Sequence, residues 1–154
     1  MCPEPDRFRR PVSVLVVVLG EGGRVLVLDR RRPAGWRQSV TGALREGELP
    51  EAAAARELAE ETGLEARPEP LGLMARFPIH PAWRGRYAPG VTENEEHAFV
   101  ARVAGTPAPR LGPEHVGWAW LPAAEAAEAV SSWSDRDAIR RAAGLDKTKQ
   151  NSQN

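Results

Sequence analysis

The sequence predicts an α/β fold, a mixed β-sheet with helices interleaved along the chain, and three observations carry that prediction. Runs rich in Val and Leu alternate with alanine-rich segments of high helix propensity between residues 12 and 143. Only Gly20-Glu21-Gly22-Gly23 separates the first two of these runs, which is the spacing of a hairpin. At 154 residues, 42% of them hydrophobic, the chain can bury one domain core and is too short for two of ordinary size.

Val12 to Leu19 (VSVLVVVL) is almost continuously β-branched and aliphatic and reads as a strand. Arg24 to Asp29 (RVLVLD) alternates more nearly and completes a hairpin that starts the sheet. Arg30 to Gly35 form a basic loop, and Trp36 to Gly42 (WRQSVTG) is short and partly β-prone. Pro50 to Thr62 reads as a helix, with proline suited to the first turn and Gly63 placed as C-cap, although Leu49 is a poor N-cap. Leu71 to Phe77 is another strand, and Pro78 to Val91 is a long loop with no helical or strand period. Glu96 to Val103 and His115 to Leu121 supply later strands. Pro122 to Val130 and Ser134 to Ala143 are alanine-rich helices, the second with Ser134 placed to cap it. The expected organisation is a flexible N-terminus over 1–8, a single domain over 9–144 and a disordered polar tail over 145–154.

Lys+Arg and Asp+Glu both total 21, so no global field draws nucleic acid or a membrane surface, and an anionic partner must be recognised locally. Cys2 is the only cysteine, which rules out an internal disulfide and makes a reducing cytoplasm the default. Arg7, Arg9 and Arg10 before an apolar run imitate a signal peptide, but no small-residue cleavage site follows and the run is too short to span a bilayer.

The chemistry is concentrated between Gly42 and Leu64, GALREGELPEAAAARELAEETGL. On the expected helix Glu57, Glu60 and Glu61 fall within an arc of roughly 100°, with Ala52, Ala55, Leu58 and Ala59 on the opposite side as the core face. Like charges at this spacing repel, and a bound cation removes the penalty. Oxygen-only ligands suit hard cations, above all Mg²⁺ with Mn²⁺ as a substitute, and Mg²⁺ also takes phosphate oxygens from a substrate. Arg56, four residues before Glu60, can alternatively just balance a solvated acidic face. Gly42 permits close backbone approach or serves only as a turn residue.

The same run, in the pattern G-x5-E-x7-R-E-U-x-E-E-x-G-U with U aliphatic, resembles the signature of the Nudix hydrolases. The resemblance implies an α/β/α sandwich around a mixed sheet and metal-assisted cleavage of a phosphoanhydride. It makes Glu57, Glu60 and Glu61 metal ligands and Arg56 their orienting partner. Outside the box, RRPVSVLVVV from Arg9, QSVTG from Gln38, RYAPGVTEN from Arg86 and SWSDRDAI from Ser132 resemble a branch of the family that removes pyrophosphate from 7,8-dihydroneopterin triphosphate. That branch implies substrate contacts at Arg9, Arg30, Thr41, Gly42, Ser132 and the segment Phe77, Pro78, Ile79 and His80, with Glu114 a further metal-binding acid. Glu60 or Glu114 is then the base that helps activate water.

On their own chemistry Arg9 and Arg30 pair with phosphate, and Thr41 and Ser132 hydrogen-bond phosphate or a polar ring edge. The plainer alternatives are surface arginines, a helix cap at Ser132 and an ordinary loop acid at Glu114. Trp36 and Trp83, in loops, are the candidates to stack on a flat ring, while Trp118, Trp120 and Trp133 are expected in the core and the three histidines have no metal spacing. Two other functions fit the box: hydrolysis of dATP or oxidised nucleotides in housecleaning, and a non-catalytic nucleotide-binding module. The partner in each case is a small triphosphate, with no nucleic acid and no membrane, and spacing leaves the oligomeric state open.

Overall fold

A computed structural model of the chain describes residues 8–145. Residues 1–7 and 146–154, which include Cys2 and nearly all of the expected flexible terminus and polar tail, lie outside the described residues. The architecture is one mixed seven-stranded sheet with helices on both faces.

Strand β1 (Val12–Leu19) is the centre because it is apolar on both faces and can be satisfied only between other strands. It runs parallel to β6 (Glu93–Arg102), from Val12↔Glu95 to Leu19↔Arg102, and antiparallel to β4 (Val40–Ala43). Strand β2 (Arg24–Arg30) meets β1 only at Leu19↔Val25. It pairs with β7 (His115–Pro122) along its whole length and, toward its end, with the short β3 (Arg37–Gln38). The expected hairpin thus exists at its turn, a 3₁₀ turn over Glu21–Gly23, and then opens because β4 takes the place beside β1. Strand β5 (Glu69–Pro78) forms the edge against β6, with a register shift between Pro70 and Met74 where Gly72 takes φ 67°.

Successive side chains of β1 serve opposite layers. Val14, Val16 and Val18 pack with Leu26, Leu28, Val40 and Phe99 under α1 (Pro50–Thr62). Leu15, Val17 and Leu19 pack with Val25, Val27 and Val100 under α2 (Ala123–Ala129) and α3 (Trp133–Ala142).

Several expectations need correction. Strands β5 and β6 extend past the sequence bounds, β6 beginning at Glu93, because ladder partners hold the backbone where side chains are polar. The loop after β5 contains a 3₁₀ helix, Pro81–Arg86, whose start is capped by His80 Nδ1 accepting from Ala82 N at 3.0 Å. Helix α3 starts at Trp133, and its cap is Ser132, whose Oγ accepts from Asp135 N at 3.1 Å, while Ser134 is buried. Of the three tryptophans expected in the core only Trp120 packs there, its indole N–H donating to Pro107 O at 2.9 Å. Trp118 and Trp133 are 41% and 49% exposed.

The largest correction concerns α1. Its core face is Ala53, Ala54 and Leu58, not Ala52, Ala55 and Ala59, which are exposed. Alanines bury little area and orient a helix weakly, so Leu58 decides the roll. That roll carries Glu61 and Thr62 inward as well. The acidic arc therefore flanks the core instead of opposing it.

Candidate active site

The inward roll of α1 sets Glu57 against β4, where Gly42 lies within the strand and not in a turn. A Cβ at Gly42 would collide with the Glu57 carboxylate, so the glycine is there for space. Arg56 fastens the arrangement. Its Nε and NH2 donate to the two oxygens of Glu48 at 2.8 Å, its NH1 to Glu57 at 2.7 Å and Glu60 at 3.3 Å, and its NH2 to Ala43 O at 3.1 Å. The bidentate guanidinium holds the Glu48 carboxyl down at about 2. Arg45 reaches the other oxygen of Glu60 at 3.3 Å.

Glu57 and Glu61 are in a different condition. Burial pushes the Glu57 carboxyl up in spite of Arg56. Glu61 lies well above the ordinary range, first through burial and then through the negative charges of Glu57 and Glu114. Neither oxygen of Glu61 receives a hydrogen bond, and its nearest cationic partner is Nε2 of buried His115 at 3.5 Å. Burial and the neighbouring Arg30 disfavour protonation of that imidazole. Glu61, buried with both oxygens orphaned and no matching cation, is costly, and Glu57 beside it has only Arg56 against its burial. A hard divalent cation is the chemical complement of such an all-oxygen set. Among the described residues no three acids or imidazoles form a ready-made cage. That pattern suits an ion held by few carboxylates and completed by water and phosphate oxygens. The residues present therefore fit a divalent metal.

These acids floor an open cleft of about 1390 Å³ whose walls carry Arg9, Arg30, Arg45 and Arg86, with Thr41 and Glu114 also at its surface. A smaller cavity of about 90 Å³ adjoins it, and the two share Arg9, Arg30, Thr41, Gly42 and Ala43. The smaller one is bounded by Trp36, His80 and Trp83, whose rings meet at centroid distances of 5.1 to 5.2 Å, and by Phe77, Ile79 and Ser132. Arg30 joins the two regions. It is 7% exposed, and burial lowers its pKa. Its Nε donates to Arg32 O at 2.9 Å, its NH1 lies 3.8 Å from Glu114, and its guanidinium sits 5.0 Å over the Trp83 ring.

Of the residues singled out from sequence, Arg56, Glu57, Glu60, Glu61, Glu114, Arg9, Arg30, Thr41 and Gly42 all line the large cleft. Phe77, Ile79, His80 and Ser132 line the small one, and Pro78 lines neither. Sequence reasoning missed His115, Asn94, Glu96 and Asp135, all buried at these cavities. A polar residue in an otherwise strand-like run was the available signal for Asn94 and Glu96, obscured by placing the start of that strand at Glu96.

The NUDIX domain family matches residues 9–142. The chain is 41% identical over 142 residues to dihydroneopterin triphosphate diphosphatase of Escherichia coli (strain K12), covering 87% of this chain and 93% of that protein. It is 34% identical over 141 residues to the Haemophilus influenzae protein of the same name, covering 88% and 89%. The solved structure of the E. coli dihydroneopterin triphosphate pyrophosphohydrolase superposes with a TM-score of 0.82 at 38% identity, over 87% of this chain and 95% of that one. The match across the domain and these relatives together make this chain a Nudix hydrolase, a member of the NUDIX family.

Proposed function

We propose that this chain is a Mg²⁺-dependent pyrophosphohydrolase that converts 7,8-dihydroneopterin triphosphate to the monophosphate and pyrophosphate. The observation that carries the reading is the continuity of two unlike cavities through Arg9, Arg30 and Thr41: one charged, for a triphosphate, the other aromatic and polar, for a flat heterocycle. The similarity to two enzymes named for this substrate supports the same choice.

Nudix hydrolases generally use a divalent metal. Here Glu57 and Glu61, with Glu60 and Glu114 at the rim, would hold Mg²⁺, or Mn²⁺ in its place. When bound, such an ion screens phosphate charge and lowers the pKa of water. Arg56 keeps Glu57 and Glu60 oriented through the bonds described above. Arg9 and Arg30 pair with phosphate oxygens, and Thr41, whose Oγ accepts from Gln38 Nε2 at 3.0 Å, has its hydroxyl hydrogen to donate to one. The bond between the α- and β-phosphates breaks as the oxygen of water joins one of the two phosphorus atoms. Glu60 and Glu114, both roughly half exposed, are the acids open to take the proton that water loses. Phe77, Ile79 and His80 form one wall for the ring, and Ser132, although it caps α3, faces the same cavity.

Pyrophosphate release from dihydroneopterin triphosphate, measured with Mg²⁺ and with chelator, tests the reaction. The same assay over a panel including dATP and GTP tests the substrate. A kcat/KM for any nucleotide above that for the pterin would replace this reading with the housecleaning one.

A further inference from the structure

The small cavity contains a polar group that the hydrolytic chemistry leaves without a task. On the face of the sheet under α3, Asn94 and Glu96 project from alternate positions of β6, beside Ser13 of β1. All three are less than 10% exposed. Asn94 Nδ2 donates to Ser13 Oγ at 2.7 Å, which leaves its Oδ1 without any donor. Facing them from α3 is Asp135, whose two oxygens accept from Ser39 N at 2.7 Å and Ser39 Oγ at 2.8 Å. Asp135 is thereby satisfied from its own side, and Glu96, which takes one hydrogen bond from Ser134, has its remaining acceptor positions to offer a ligand. The charges here are negative and acceptors are in excess, the reverse of a phosphate site.

We propose that Glu96, assisted by Asn94 Oδ1, is the specificity-determining residue that reads the heterocycle, by accepting hydrogen bonds from adjacent ring N–H and exocyclic NH₂ groups. The inference takes its substrate from the pterin reading above, but its geometry stands without it. A pterin edge offers three hydrogens, one on the ring nitrogen and two on the 2-amino group. The lone pairs that the Glu96 carboxylate keeps beside its bond from Ser134, together with the free Oδ1 of Asn94, are enough acceptors for them. Burial and Asp135 favour the protonated form of Glu96 in the free enzyme, so binding of the two-donor edge displaces that proton to solvent. An adenine edge has an acceptor where pterin has the ring N–H, so it loses one bond and confronts a lone pair instead.

Glu96→Gln keeps the size of the side chain but replaces one acceptor by a donor, so it mismatches the pterin edge. The ratio of kcat/KM for dihydroneopterin triphosphate to that for dATP should fall at least about 100-fold in this variant, since a buried donor–donor clash replaces a bond. A ratio within about threefold of wild type would overturn the inference. Wild-type protein gives a second measurement that does not depend on the variant folding: inhibition by 6-methyl-7,8-dihydropterin against its analogue lacking the 2-amino group. Tenfold or greater weakening without the amino group supports the assignment, and equal inhibition overturns it. If the wild type fails to hydrolyse the pterin triphosphate, the substrate reading falls by itself. GTP against dATP then presents the same contrast of edges, and a Glu96→Gln ratio that falls for GTP keeps the assignment while an unchanged ratio ends it.

Discussion

Arg56 gathers carboxylates that would otherwise repel each other, and it does so from a position only 17% exposed. Replacing it with Met would leave Glu48, 14% exposed at its side chain, without its bidentate partner. The expected loss is about 2–4 kcal/mol, because a nearly buried charge loses its only full neutralisation. Urea denaturation measures it, and Arg56→Lys should recover only part, since a single ammonium cannot reproduce the fork. Glu61 has the opposite character, with burial and like charges already holding its carboxyl high. Glu61→Gln should lower kcat/KM by at least about 100-fold, the scale on which a lost metal ligand or charge stabiliser acts. In chelator near pH 8, however, it should be as stable as wild type or more so, because it removes an uncompensated buried charge. Saturating Mg²⁺ should raise the wild-type melting temperature, by about 2.7 kcal/mol of stabilisation at a hundred times Kd, and leave the variant unmoved. Near-normal turnover, or an equal Mg²⁺ shift in both proteins, would remove Glu61 from the metal site.

At the scale of elements, α1 was legible in its bounds and misread in its orientation. Pro50 at the start and Gly63 in the left-handed region at φ 71° mark a helix that needs no tertiary information to recognise. Its roll did need that information, because a stretch of alanines offers two nearly equivalent faces and the choice falls to Leu58 and to the space left at Gly42. The start of α3 was ambiguous for a similar reason. Ser131, Ser132 and Ser134 stand close together, and only the inward turn of Asp135 onto Ser39 decides which one caps. The arginines and Thr41 could be named from the pattern of motifs, whereas His115, Asn94 and Glu96 join the site through strand register, at which a polar residue in a strand-like run only hints. The contact between α1 and β4 is open to direct test. Gly42→Ala should keep the secondary structure seen by circular dichroism, since Gly42 does not use positive φ, and yet displace Glu57. Activity should then fall about 10–100-fold with a stability loss of about 1–3 kcal/mol from overpacking. Unchanged turnover would mean that the Glu57 position is not critical.

At the scale of the molecule, the two layers on either side of β1 are stabilised unequally with respect to pH. The α1 layer carries acids displaced both ways, Glu57 and Glu61 upward by burial and Glu48 held low by Arg56, and the Glu48 contribution is present above the ordinary carboxylate range and is lost as pH falls toward about 2. The α3 layer carries two buried acids displaced upward, Glu96 to about 8 and Asp135 to about 6, by burial and, for Glu96, by the charge of Asp135. Their folded forms hold protons that the unfolded chain releases near its ordinary values. Between those values and about 8 the native state binds more protons than the unfolded one, and stability must fall as pH rises through that window. Each unit of elevation corresponds to about 1.4 kcal/mol, and because the two acids act on each other the share of Glu96 is about 2–4 kcal/mol. Glu96→Gln keeps the shape and removes the titration. Its melting temperature should exceed that of wild type by about 5–10 °C at pH 8.5 and converge toward it near pH 4.5, with chelator present to silence the metal site. Parallel curves for the two proteins across that range would show that Glu96 is solvated in the folded state, and the pocket under α3 would then have to be redrawn as open to water.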